Sequence, residues 1–153
     1  MKADLKLYQD PIDVFLAGVI QGSKIAEEIE EQSYRDRLLE LFAAKLPEVK
    51  AYCPFSHHST SINYTDEEGE AVFLHHLQMV RDSKLLVAYL PEASLGTAIE
   101  IWEARDAGVP IVAISPMKHN WVLRFFTARI FPDLDAFESW LTPENYRAIT
   151  TRE

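Results

Sequence analysis

Apolar positions fall in short runs separated by helical stripes. Residues 1–12 form a proline-stopped lead-in, and Asp13-Val14-Phe15-Leu16-Ala17-Gly18 is an apolar run that stops at glycine. That pattern predicts a buried strand followed by a tight turn. From Lys24 to Leu46 the period becomes helical, with Ile25, Ile29, Leu38, Leu41, Phe42 and Leu46 near one stripe and Pro47 as the stop. Val49 to Phe55 reads as a second strand, and 56–66 as a polar loop. Asp66-Glu67-Glu68-Gly69 is an acidic helix start, and the helix runs through Phe73, Leu77 and Val80 to Asp82. Lys84 to Leu90 is almost wholly apolar, as in a central strand buried on both faces. After the turn Pro91–Gly96, a helix is predicted over Thr97–Ala107, closed by Gly108. Pro110–Ser115 is a fourth strand, Asn120–Ala128 a short helix, Ile130-Phe131 a fifth strand and Asp133–Leu141 a closing amphipathic helix.

Strands alternating with helices predict an α/β fold: a Rossmann/flavodoxin-like three-layer sandwich around a five-stranded, mainly parallel sheet. Val14–Gly18 and Leu85–Leu90 are its expected central strands. The 153 residues, 48% hydrophobic, suit one domain over 1–153 and exclude global disorder. Ligands of such sheets bind beyond the carboxyl ends of the strands. Those ends are Gly18–Ser23, Pro54–His58, Leu90–Thr97 and Ser115–Asn120.

Charge and composition narrow the partners. The net charge of −9, without a basic run, argues against gripping a nucleic-acid backbone. No apolar run approaches the ~18–20 residues of a membrane span. The first residues lack the apolar core of a secretory signal. The single cysteine, Cys53, excludes an intrachain disulfide and a thiolate zinc site. A cytoplasmic domain without a cofactor is the expectation.

Four segments could carry chemistry. Gly18-Val19-Ile20-Gln21-Gly22-Ser23 lies between a strand and a helix, where amides can meet an anion. Its spacing is neither a Walker loop nor a full dinucleotide fingerprint, and it also fits an ordinary tight turn. In Ser94-Leu95-Gly96-Thr97-Ala98-Ile99-Glu100, Ser94 and the Gly96 and Thr97 amides form a second candidate anion cradle. Glu100 would lie in the first helical turn, kept ionised by the helix dipole, available as nucleophile or ribose acceptor. Thr97-x-x-Glu100 equally matches a capping box, and the two roles compete for one carboxylate. His57-His58 and His75-His76 lack metal-ligand spacing, although one of each pair can meet at the sheet's edge. Asn120-Trp121-Val122-Leu123-Arg124-Phe125-Phe126 carries more aromatic surface than one core contact needs, which suits either a subunit interface or a well-buried helix.

Together these segments resemble the nucleoside 2-deoxyribosyltransferase family, in particular its 2′-deoxynucleoside 5′-phosphate N-hydrolase-like branch, over residues 13–141. Phe15–Gly22 is similar to that branch's first strand and glycine loop. Leu86–Leu90 with Ser94-x-Gly96-x-x-x-Glu100 is similar to its central strand and nucleophile helix. The resemblance implies that Glu100 attacks C1′ of the sugar while Ser94 and the glycine-loop amides hold the 5′-phosphate. His76 stands where the family carries an aspartate near the sugar, Trp102 where it usually has glycine, and Lys84 where the strand often opens with aspartate. Asn120 and Arg124 correspond loosely to residues lent to a neighbouring subunit's site, which implies a homo-oligomer. The implied function is an N-glycosidase or glycosyl transferase acting on a (deoxy)nucleoside or its 5′-monophosphate. The alternative is a non-catalytic binding module for a nucleotide-like metabolite. A flavodoxin-like FMN carrier lacks a convincing phosphate loop.

Overall fold

The computed structural model describes residues 5–19 and 33–151. Its sheet has five strands, all parallel, in the order β2-β1-β3-β4-β5: β1 Val14–Gly18, β2 Ala51–Tyr52, β3 Leu85–Tyr89, β4 Ile111–Ile114 and β5 Arg129–Phe131. The strands β1 and β3 pair from Val14–Leu85 to Gly18–Tyr89, inside the sheet as expected. Seven α-helices are seen among the described residues: α1 Ser33–Lys45, α2 Pro54–His57, α3 Asp66–Asp82, α4 Leu95–Asp106, α5 Trp121–Phe126, α6 Leu134–Trp140 and α7 Pro143–Thr150.

Side-chain alternation along the strands sorts the helices into two outer layers. Val14, Leu16, Leu85, Val87, Val112 and Ile114 face α1, α6 and α7, packing with Leu38, Phe42, Phe137 and Tyr146. Phe15, Ala17, Leu86, Ala88, Ile111 and Ala113 face the other way, packing with Met79 and Val80 of α3, Ile101 and Ala104 of α4, and Leu123 of α5. Runs buried on both faces produce near-continuous apolar strands, which explains their legibility in the sequence.

Several boundaries differ from expectation. The predicted helix over Lys24–Leu46 is described only from Ser33; its first part lies outside the described residues. The second strand is two residues long rather than seven, because Pro54 has no N–H for the ladder and opens α2 instead. The predicted loop 56–66 holds the end of α2 and a short 3-10 turn at Ser61–Asn63. The Thr65–Glu68 capping box starts α3 where the acidic run predicted it. The helix α7 was not expected; Thr142, as N-cap before Pro143, is the signal for it.

Candidate functional site

The site begins where β1, β2 and β3 end. The turn after β3 leads to Ser94, whose Oγ accepts from the Thr97 amide at 3.3 Å and so caps α4. This replaces the expected start at Thr97. It also removes the capping-box role for Glu100, because the Thr97 amide is taken by Ser94. Glu100 lies in the second turn, not the first, and its carboxyl makes no hydrogen bond among the described residues.

A cavity of about 490 Å³ opens here, lined among others by Gly18, Arg35, His58, His76, Ser94 and Glu100. Gly96 and Thr97 also line it. Its walls come from opposite layers, Arg35 from α1 and Glu100 from α4. Glu100 is 9% exposed, and burial pushes its carboxyl up to about 8, against an opposing pull from Arg35. The expectation that the dipole keeps this carboxylate ionised is therefore corrected: in the second turn desolvation outweighs it.

His76 is buried in α3, with Nε2 2.9 Å from the Tyr52 hydroxyl. Burial pushes its pKa down to about 3, so the ring is neutral near pH 7. The His58 Nδ1 lies 2.8 Å from the Tyr64 hydroxyl, and burial lowers its pKa as well. The His58 and His76 rings meet edge to face with centroids 5.4 Å apart, while His75 turns away to the Tyr8 carbonyl at 2.5 Å. One histidine of each pair thus reaches the same wall. No group of three His, Cys, Asp or Glu among the described residues is placed to hold a metal.

The glycine loop falls only partly within the described residues. Ile20, Gln21, Gly22 and Ser23 lie outside the described residues. Gly18 lines the cavity, and its lack of a side chain makes room for Tyr34: a Cβ would stand 2.1 Å from the Tyr34 hydroxyl oxygen. Tyr34 stacks on Tyr89 with ring centroids 4.1 Å apart. Val19 does not line the cavity; its side chain is 1% exposed and joins the apolar core. Thr97 is 1% exposed, and its Oγ1 has no hydrogen-bond partner among the described residues. A buried hydroxyl left so bears a desolvation cost that a ligand atom can relieve.

Asn120 is not on this wall. Its side chain caps α5, accepting from Val122 N at 3.0 Å and Leu123 N at 3.4 Å. Trp102 is also away from the cavity, half-exposed against Phe126 with centroids 5.7 Å apart, so it does not narrow the pocket. Lys84 pairs with Asp13 at 2.8 Å, where each residue immediately precedes its strand.

Sequence reasoning missed Arg35 and Tyr64 as site residues, and it carried His58 only as one of a histidine pair. Arg35 shares a helical stripe with Leu38 and Phe42, three and seven residues on, and that spacing was the available signal. Tyr64 had none: only tertiary packing brings that segment onto α3.

No protein-family model and no curated protein matches the sequence. Solved structures match its fold. One is a 2-deoxyribosyltransferase from the psychrotolerant bacterium Bacillus psychrosaccharolyticus, with a TM-score of 0.58 at 12% identity, covering 84% of this chain and 92% of that one. Another is a conserved protein from Enterococcus faecalis V583, with a TM-score of 0.56 at 19% identity, covering 85% of this chain and 96% of that one. At these identities the likeness is one of fold.

Proposed function

We propose that this chain cleaves the N-glycosidic bond of a (deoxy)nucleoside or its 5′-monophosphate, by hydrolysis or transfer, with Glu100 as nucleophile. The observation that carries the reading is a carboxyl without a protein hydrogen-bond partner among the described residues, on the wall of a cavity at the strand ends. The fold likeness to a 2-deoxyribosyltransferase agrees with it.

In the proposed reaction the ionised Glu100 oxygen bonds to C1′ as the C1′–N bond breaks. The base leaves with that bond's electron pair and takes a proton from water. The oxocarbenium-like transition state is stabilised by the adjacent negative charge. Water, or a second base, then attacks C1′ and releases the carboxylate. The exposed α4 N-terminus, with Ser94, the Gly96 amide and the Thr97 hydroxyl, is the proposed phosphate end, together with the Gly18–Ser23 amides. In this reading His76 is a neutral polar group beside the sugar.

The second reading, a nucleotide-binding module without turnover, is favoured by one observation: His76 is neutral and tied to Tyr52 where a carboxylate would be expected.

Incubation with a panel of nucleosides and 5′-monophosphates separates the two. Base release that falls by orders of magnitude in Glu100→Gln supports the enzyme. Binding without release from any member of the panel supports the module.

A further inference from the structure

Arg35 is a cation in the apolar stripe of α1, only 2% exposed. Its Nη2 donates to the Gly18 carbonyl at 3.1 Å, and Nη1 to the Leu16 carbonyl at 3.4 Å and Cys53 Sγ at 3.6 Å. The guanidinium carbon lies 5.0 Å from the Tyr34 ring centroid and 6.0 Å from that of Phe55. The group is thus tethered to the carboxyl end of β1 and to the chain leaving β2.

Arg35 and Glu100 come from opposite layers and line the same cavity. Opposite charges facing one poorly solvated space interact more strongly than they would in water. We propose that Arg35 is a positioning residue for Glu100: its tethered guanidinium supplies the fixed positive charge against which the buried carboxylate ionises. The inference rests on the reading of Glu100 as nucleophile, since a nucleophilic carboxyl must be an anion.

Burial disfavours that anion, and among the described residues Arg35 is the group that opposes burial. The other titratable groups described around the site do not supply the charge. Tyr34 on α1 is a buried phenol that stays protonated, Tyr89 on β3 is stacked on it, and Cys53 just after β2 is a buried thiol. His58 and Tyr64 bond each other, and His76 on α3 is kept neutral by burial. Arginine suits the task better than lysine. Its planar fork serves two carbonyls at once.

The test follows Glu100 itself. Glutamate carboxyls are isotope-labelled and titrated by NMR, with Glu100 assigned by its loss in Glu100→Gln. Arg35→Gln keeps donors for the strand carbonyls and removes the charge; Arg35→Lys keeps the charge. The expected result is a Glu100 midpoint raised by about one pH unit or more in Arg35→Gln, and restored toward the native value in Arg35→Lys. The pH profile of base release should move the same way. A folded Arg35→Gln protein with an unchanged midpoint would overturn the proposal, as would a lysine variant shifted as far as the glutamine one. Should Arg35→Gln fail to fold, the native protein suffices. The Arg35 guanidinium nitrogen resonances should move with the Glu100 titration and lose that movement in Glu100→Gln; no movement refutes the coupling. Coupling without any base release would sink the glycosidase reading and leave only the electrostatic coupling of Arg35 to Glu100.

Discussion

At Glu100 the burial that shields the carboxyl also sets its titration, and His76 does the reverse. The folded Glu100 binds its proton up to about pH 8, whereas the unfolded group releases it near 4.5. Between those values the folded state holds the extra proton, so this group's contribution to stability falls as pH rises, by at most about 1.4 kcal/mol per unit. For His76 the folded value is about 3 and the unfolded one 6.5, so the unfolded state binds the extra proton between them. Stability from that residue is complete above 6.5 and is lost as pH falls toward 3. Urea denaturation of native and Glu100→Gln proteins between pH 5 and pH 8 is the check. The native protein should lose stability relative to the variant as pH rises, and parallel curves would refute a buried, protonated Glu100. If Glu100 is the nucleophile, base release should climb with pH through the same ionisation.

At the scale of elements, the N-terminus of α4 decides what each residue of the Ser94–Glu100 segment can do. The cap at Ser94 places Thr97 in the first turn, with its hydroxyl buried, and turns Glu100 into the cavity one turn later. Ser94→Ala should cost about 0.5–2 kcal/mol, measured by urea denaturation, because the Thr97 amide loses its acceptor. Thr97→Val should be neutral or stabilising, since the hydroxyl it removes has no partner. If that hydroxyl meets the ligand's phosphate, the same variant weakens nucleoside monophosphate binding in calorimetry. Destabilisation with unchanged binding would assign Thr97 to packing alone. Most of this segment was legible as a strand, a turn and a helix. The choice between Ser94 and Thr97 as cap was not, because both residue types make good caps and only the backbone's path fixes which side chain reaches the free amides.

Across the whole molecule, one outer layer is unlike the other. The helices α3, α4 and α5 lie side by side and leave large apolar side chains exposed, among them Leu95 at 88%, Trp121 at 73% and Phe125 at 57%. We propose that this face packs against a second copy of the chain, beside the cavity mouth that Leu95 and Phe73 help to line. Light scattering at micromolar concentration should give a mass above the 17.5 kDa of one chain. Paired Trp121→Lys and Phe125→Lys substitutions should return it to the monomer. A native monomer would refute the interface.

The sequence by itself determined the alternation of strands and helices, the central place of β1 and β3, and the edge of the sheet where the cavity opens. Those follow from periodicity, since a strand buried on both faces has to be apolar throughout and a helix on a sheet has to be apolar along one stripe. Only the tertiary structure decided that Arg35 reaches the same cavity as Glu100, that His58 and His76 converge, and that Asn120 caps a helix away from that wall. These outcomes depend on which side chains from distant segments share one desolvated volume. A carboxyl's charge state is set by that volume and by the cations around it, neither of which is written in local spacing.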